Sequence, residues 1–173
     1  MNEIINAMIE RRSCKSYKSD MVPKADIEKV IEAGLWAANG RGLQTPVIIA
    51  VTDKETRAAL SKLNASVMGA NSDPFYNAPV VLIFLAPAEH PNRVYDGSLV
   101  MGNMMLAAYS MGIGSCWIHR EREMFVTEEG KELMAQWGLP EGLVGIGALA
   151  LGYPDGEPSP AKPRKEGYTR IIR

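Results

Sequence analysis

The sequence predicts an α+β domain with a sheet of four or five strands wrapped by helices. Helical patterns outnumber strand patterns along the chain. The run from Pro79 to Leu85 is almost wholly apolar and β-branched, as a mid-sheet strand buried on both faces requires. Between about Asp96 and Met111, the spacing of Leu99, Val100, Asn103, Met104, Leu106, Ala107 and Ser110 predicts a helix that is apolar over most of its circumference. With 173 residues and 46% apolar content, the chain suits one domain, residues 1–173, around a substantial core.

The elements follow in order. Ile4, Ile5, Met8 and Ile9 recur at helical spacing behind Asn2, a capping residue. Pro23 opens a second helix with Ile27, Val30, Ile31 and Leu35 on one face, which stops near Ala38-Asn39-Gly40; Asn39 to Gln44 is then a loop. Val47 to Val51 reads as a strand, and Thr52-Asp53-Lys54-Glu55 has the capping-box pattern of a short helix containing Leu60 and Leu63. Ala65 to Asn77, rich in small and polar residues and containing Pro74, reads as a long loop or lid. After the central helix, Gly112-Ile113-Gly114-Ser115 leads into a short strand ending at Ile118-His119. Thr127 caps a helix through Trp137, and Leu143 to Leu151, with its alternating glycine and alanine, suits a close-packed core strand. From Tyr153 onward, Pro, Gly, Lys and Glu describe an irregular surface arm.

Chemistry concentrates at Arg11-Arg12-Ser13-Cys14-Lys15-Ser16-Tyr17, where three cations and two serine hydroxyls fall where the first helix runs out. Guanidinium groups grip phosphate oxygens in pairs, an ammonium adds a point charge, and hydroxyls or free N–H groups fill the remaining acceptors. A second cluster, Lys162-Pro163-Arg164-Lys165, lies near the other end. If the fold joins the two clusters, both termini close on one phosphorylated ligand; otherwise they are solvated charges. A net charge of −1 argues against nucleic-acid binding through a broad basic face. Cys14 and Cys116 are too few for a disulfide scaffold, and His90 and His119 supply a metal centre poorly, so no metal is expected. Cys14 among cations could be a reactive thiol. No stretch approaches the ~20 apolar residues needed to span a bilayer, and the reading is a soluble, unprocessed cytoplasmic chain with no membrane partner. Gly112-Ile113-Gly114 follows a helix, not a strand, and lacks the third glycine of a dinucleotide fingerprint.

Over nearly its whole length the chain resembles the FMN-dependent nitroreductases. Arg11 to Tyr17 is similar to the family's N-terminal motif, and Ala37 to Pro46 to its small-polar loop. Asp96 to Ile118 resembles its long helix followed by Gly-Ile-Gly-Ser and Trp-Ile; Ala148 to Pro154 resembles its closing strand, and Lys162-Pro163-Arg164 its terminal phosphate clamp. The sequence departs from the family pattern at Gly42, at Thr45-Pro46 and at His119-Arg120, where nitroreductases often carry Glu-Gly-Phe.

The resemblance implies a mixed, mostly antiparallel sheet in a homodimer, with FMN at the subunit interface. Arg11, Arg12, Ser13, Lys162 and Arg164 would hold the phosphate, and Lys15 would lie near the flavin pyrimidine. Ala38, Asn39, Gly40 and Gln44 would reach in from the second protomer, and the backbone of Ile118 and His119 would meet the redox-active nitrogen. The implied activity is an FMN-dependent NAD(P)H oxidoreductase with a ping-pong cycle, in which NADH or NADPH delivers hydride and a small electrophile such as a nitroaromatic or quinone accepts it. The flavin carries the reaction, and no catalytic side chain is assigned. His119 has two readings, a hydrogen-bonded residue at a strand end or a group that orients or protonates substrate. Asn103 reads as a buried amide, and Asp96 as a helix-start carboxylate. The rival to the enzyme is a non-catalytic protein that binds flavin or another phosphate ligand.

Overall fold

In the computed structural model, which describes residues 2–173, the described residues form one four-stranded sheet. Its strands are β1 (Val47–Val51), β2 (Val80–Pro87), β3 (Gly114–Ile118) and β4 (Leu143–Gly152), in the order β1-β2-β4-β3. Neighbouring strands are antiparallel throughout. The parallel contact in the expected mixed sheet is an isolated bridge between Ser13 and Ser115. The helices are α1 (Glu3–Glu10), α2 (Lys24–Leu35), α3 (Lys54–Met68), α4 (Arg93–Ser110), α5 (Glu121–Met124) and α6 (Glu128–Gln136).

β2 explains the layering. Its side chains alternate between two cores, because successive residues of a strand point to opposite faces. Val80, Leu82 and Phe84 join Ile27 and Val30 of α2 and Met101 and Met104 of α4. Val81, Ile83 and Leu85 join Leu60 and Leu63 of α3, Met124 of α5 and the flank of α6. A strand with helices over both faces has no solvent side, hence the unbroken apolar run; each such buried side chain contributes roughly 1.5–3 kcal/mol. The β2–β4 register shifts between Phe84 and Leu85, which pair with Gly147 and Gly145. The intervening Ile146 packs with the α2 and α4 core.

The structure departs from the sequence expectations in four places. α3 starts behind Asp53, whose carboxylate accepts from Thr56 N at 2.8 Å, and runs fifteen residues through Met68 to a left-handed Gly69. Residues 65–68 are therefore helix, and the following loop begins later than expected. Asn64 and Ala65 are buried, so the helix's inner face continues past the point where small residues blur the pattern. Asn103 is exposed, and its Nδ2 donates to the Ala33 carbonyl at 3.2 Å. The face of α4 that carries Asn103 also leaves Leu99 50% exposed, so this helix is not buried all round. Finally, α5 is a short helix the sequence did not announce. Thr127 does cap α6, with its Oγ1 accepting from Gly130 N at 3.0 Å.

Candidate functional site

The stretch after α1 is laid into the sheet's edge. Cys14 N donates to the Ser115 carbonyl at 3.0 Å, beside the Ser13–Ser115 bridge. Lys18 N donates to Tyr153 O at 2.9 Å, and Asp155 N to Ser16 O at 3.0 Å. Residues 13–18 thus run between the edge strand β3 and the chain leaving β4. The buried Tyr17 fastens them: its hydroxyl donates to the Cys14 carbonyl at 2.8 Å and lies 3.3 Å from the Ala150 carbonyl. Burial, followed by the neighbouring Cys14 and Cys116, pushes its phenol far above the usual range, so Tyr17 is a neutral anchor.

The result is a cleft of about 520 Å³ between residues 10–16, the Gly112–Ser115 turn and residues 154–159 of the C-terminal arm. Arg11 Nη1 is buried and has no partner among the described residues. A buried cationic N–H without an acceptor is costly, and an anion in the cleft would relieve it. Arg12 has a divided role: its Nη1 donates to Ile9 O at 2.6 Å and Arg11 O at 2.8 Å, closing the C-terminal end of α1. Ser13 is exposed at the cleft. Lys15 also lines it, with Nζ 5.6 Å from the Tyr76 ring centroid. Two guanidiniums, an ammonium and a hydroxyl make a donor set suited to a phosphate-like oxyanion.

Not every expected residue reaches this cleft. Lys162 and Arg164 are exposed and do not line it; Arg164 Nη2 donates to Lys162 O at 2.9 Å, and the arm meets the cleft through residues 154–159 instead. Both termini do meet, but through the start of the arm and not its cationic cluster. The loop bearing Ala38, Asn39, Gly40 and Gln44 lies elsewhere, against the start of α4. Gly40 N donates to Asp96 Oδ1 at 2.9 Å, Gln44 N donates to Asn39 Oδ1 at 2.9 Å, and Asp96 Oδ2 pairs with His90 Nε2 at 2.8 Å. Asp96 is therefore more than a helix-start carboxylate: it is buried and binds two other segments. Arg41 and Gln44 sit at φ 58° and 52°, a left-handed conformation uncommon outside glycine that this bonding sustains.

Ile118 and His119 lie at the far end of β3, about 13 Å from Gly114 at the strand's rise per residue. The His119 ring is exposed, while its carbonyl accepts from Asn64 Nδ2 at 3.0 Å. The strand-end hydrogen bond belongs to the His119 backbone and not to its ring, which is left accessible. Below it lies Glu121, fully buried at the start of α5. Burial, opposed by its own backbone N–H and reinforced by Glu123, pushes the Glu121 carboxyl up to about 8. Sequence reasoning missed this residue, since Arg120-Glu121-Arg122-Glu123 has the look of solvated charge.

The loop after α3 is tied down rather than free. Asp73 accepts from Arg57, from Ser61 Oγ at 2.6 Å, from Phe75 N at 3.0 Å and from Asn77 N at 2.7 Å. Burial works against its charge, yet the bonds from Ser61, Arg57, Phe75 and Asn77 hold its carboxyl below the usual value. Among the described residues no helix is long and apolar enough to cross a membrane.

Known proteins share this architecture. Residues 8–75 and 65–153 match the profile described as the Nitroreductase family. A candidate NADH dehydrogenase/NAD(P)H nitroreductase of Archaeoglobus fulgidus is 30% identical over 163 residues, covering 91% of this chain and 88% of its own length. The FMN reductase, NAD(P)H type, of Bacillus subtilis is 26% identical over 95% of this chain and 70% of its own length. The crystal structure of a nitroreductase with bound FMN from Bacteroides fragilis superposes with a TM-score of 0.90 at 27% identity, over 100% of both chains. The chain belongs to the nitroreductase family.

Proposed function

We propose that this member of the nitroreductase family is an FMN-dependent NAD(P)H oxidoreductase, with the flavin phosphate in the cleft behind α1 and the ring system further along β3. One observation carries the placement: a buried Arg11 Nη1 without a partner among the described residues, in a cleft shared with Arg12, Ser13 and Lys15. This donor set fits a phosphate ester. Bound FMN would supply two-electron chemistry, taking hydride from NADH or NADPH and passing it to an electrophile such as a nitroaromatic or quinone.

The protein's own residues bind and orient. Arg11 contributes its unpaired N–H, Arg12 the part of its guanidinium not engaged at the end of α1, and Ser13 a hydroxyl. Lys15 stands next along the chain, where its ammonium favours negative charge building on a ring. β3 carries the backbone of Ile118 and His119 to the other end of the same edge. Ala38, Asn39, Gly40 and Gln44 are assigned to the site of a second copy of the chain. The exposed apolar surface supports that assembly: Ile4 is 67% exposed, Met8 56%, Leu35 58% and Trp36 80%, and α1 has no buried residue.

Titrating the purified protein with FMN and following flavin fluorescence tests the placement. Arg11→Ala is expected to weaken binding roughly ten- to a hundredfold, the worth of a charge-assisted hydrogen bond. The double change of Lys162 and Arg164 to Ala is expected to cost less. Oxidation of NADH or NADPH that depends on both FMN and a quinone or nitroarene separates the enzyme from a flavin carrier. Equal affinity in wild type and Arg11→Ala would remove the phosphate from this cleft.

A further inference from the structure

The chain leaving β3 turns abruptly. Arg120 has a φ of 92°, a conformation that side-chain-bearing residues avoid and that persists only where surroundings enforce it. The enforcement comes from below. Asn64 Nδ2, from α3, donates to the His119 carbonyl at 3.0 Å and lies 3.5 Å from Glu121 Oε1. Asn64 is 1% exposed and Glu121 0%. β4 closes the other side: a Cβ on Gly145 would stand 2.2 Å from the Glu121 carbonyl oxygen, so the glycine lets the first turn of α5 rest directly on the sheet.

Burying two polar side chains is unfavourable unless their hydrogen bonds accomplish something an apolar pair could not. Here Asn64 grips one backbone carbonyl, and Glu121 Oε1 stands against the same amide group of Asn64. The peptide that follows His119 is planar, so drawing its carbonyl inward turns the Arg120 N–H away from Asn64. Resting on the flavin placement proposed above, we propose that Asn64 and Glu121 are positioning residues, a buried polar clamp that sets the backbone of residues 118–120 against the flavin ring. The raised Glu121 carboxyl agrees with this arrangement. A protonated acid still accepts at Oε1 and adds no buried charge beneath the site.

Two readouts test the clamp, one of which needs no flavin. In flavin-free protein, Asn64→Leu is expected to speed amide exchange across residues 118–121 about tenfold while the β2 and β4 amides stay protected. Unchanged exchange overturns the clamp whatever the flavin does. In the loaded enzyme, Asn64→Leu is expected to slow flavin reduction by NAD(P)H about tenfold, the worth of one hydrogen bond, with FMN affinity nearly constant. Faster exchange with an unaltered reduction rate overturns the positioning role and leaves the flavin placement standing. Failure of the wild type to take up FMN overturns that placement, and the positioning role with it. Glu121→Gln is expected to restore what Glu121→Leu loses, because the amide keeps both shape and hydrogen bonding. Asn64→Ser, a milder loss of the same donor, gives the same direction of change should Asn64→Leu fail to fold.

Discussion

Asp96 and Glu121 are buried carboxyls at the starts of two helices, each beside a backbone segment assigned to the flavin site, yet their surroundings differ. Asp96 has a donor for each oxygen, Gly40 N and His90 Nε2, and ties a loop to α4. Glu121 has one long contact from Asn64 and an Oε2 without a partner among the described residues. Burial alone therefore does not decide what a carboxyl does; the supply of donors does. The satisfied group acts as a multi-point fastener, and the undersupplied one keeps its proton and acts as a neutral wedge.

The largest test of that contrast is pH. Folded Glu121 releases its proton only near 8, against about 4.5 when unfolded, so between these values the folded state holds more protons than the unfolded one. Stability from this group is full below 4.5 and falls as pH rises through 8, by on the order of 5 kcal/mol in total. Glu121→Gln is expected to flatten that slope in urea melts at a series of pH values. Parallel curves for variant and wild type would mean that the carboxyl is hydrated, and the contrast would collapse.

Next comes Asp96→Ala, which strands both the His90 ring and the Gly40 N–H. A loss of about 3 kcal/mol is expected, with faster amide exchange across residues 39–44. A loss below about 1 kcal/mol would rank the pair with surface ion pairs. The smallest effect calibrates the others: Thr127→Ala removes the cap of α6 and the bond from Oγ1 to the Met124 carbonyl at the end of α5, touches neither buried carboxyl, and is expected to cost about 1 kcal/mol by thermal melt.

Much of this was legible from residue order. The unbroken apolar run of β2, the caps at Asn2 and Thr127, and the cationic stretch ending α1 are local signals, and each corresponds to the structure described. The reach of α3 was not legible, because Ala65 and Ser66 suit helix and loop alike and only packing of the inner face decides. Asn103 misled for a related reason: periodicity shows which residues share a face, not whether anything covers it. Lys162 and Arg164 were placed by resemblance in a clamp that one chain does not assemble, since a Pro- and Gly-rich arm carries no pattern that fixes its path.

By itself the sequence determined the four strands and every helix but the short α5, the cationic motif and the family, because these depend on short-range spacing and residue chemistry. The tertiary structure decided which polar groups lose their water. Glu121 becomes a buried acid only because Asn64 arrives from fifty-seven positions earlier and Gly145 of β4 lets α5 approach the sheet. Arg11 Nη1 likewise becomes a buried N–H without a partner among the described residues where Tyr17 and Ser115 draw residues 13–18 onto the edge of β3. Desolvation is a property of neighbours brought together by folding, and no local pattern in the chain encodes it.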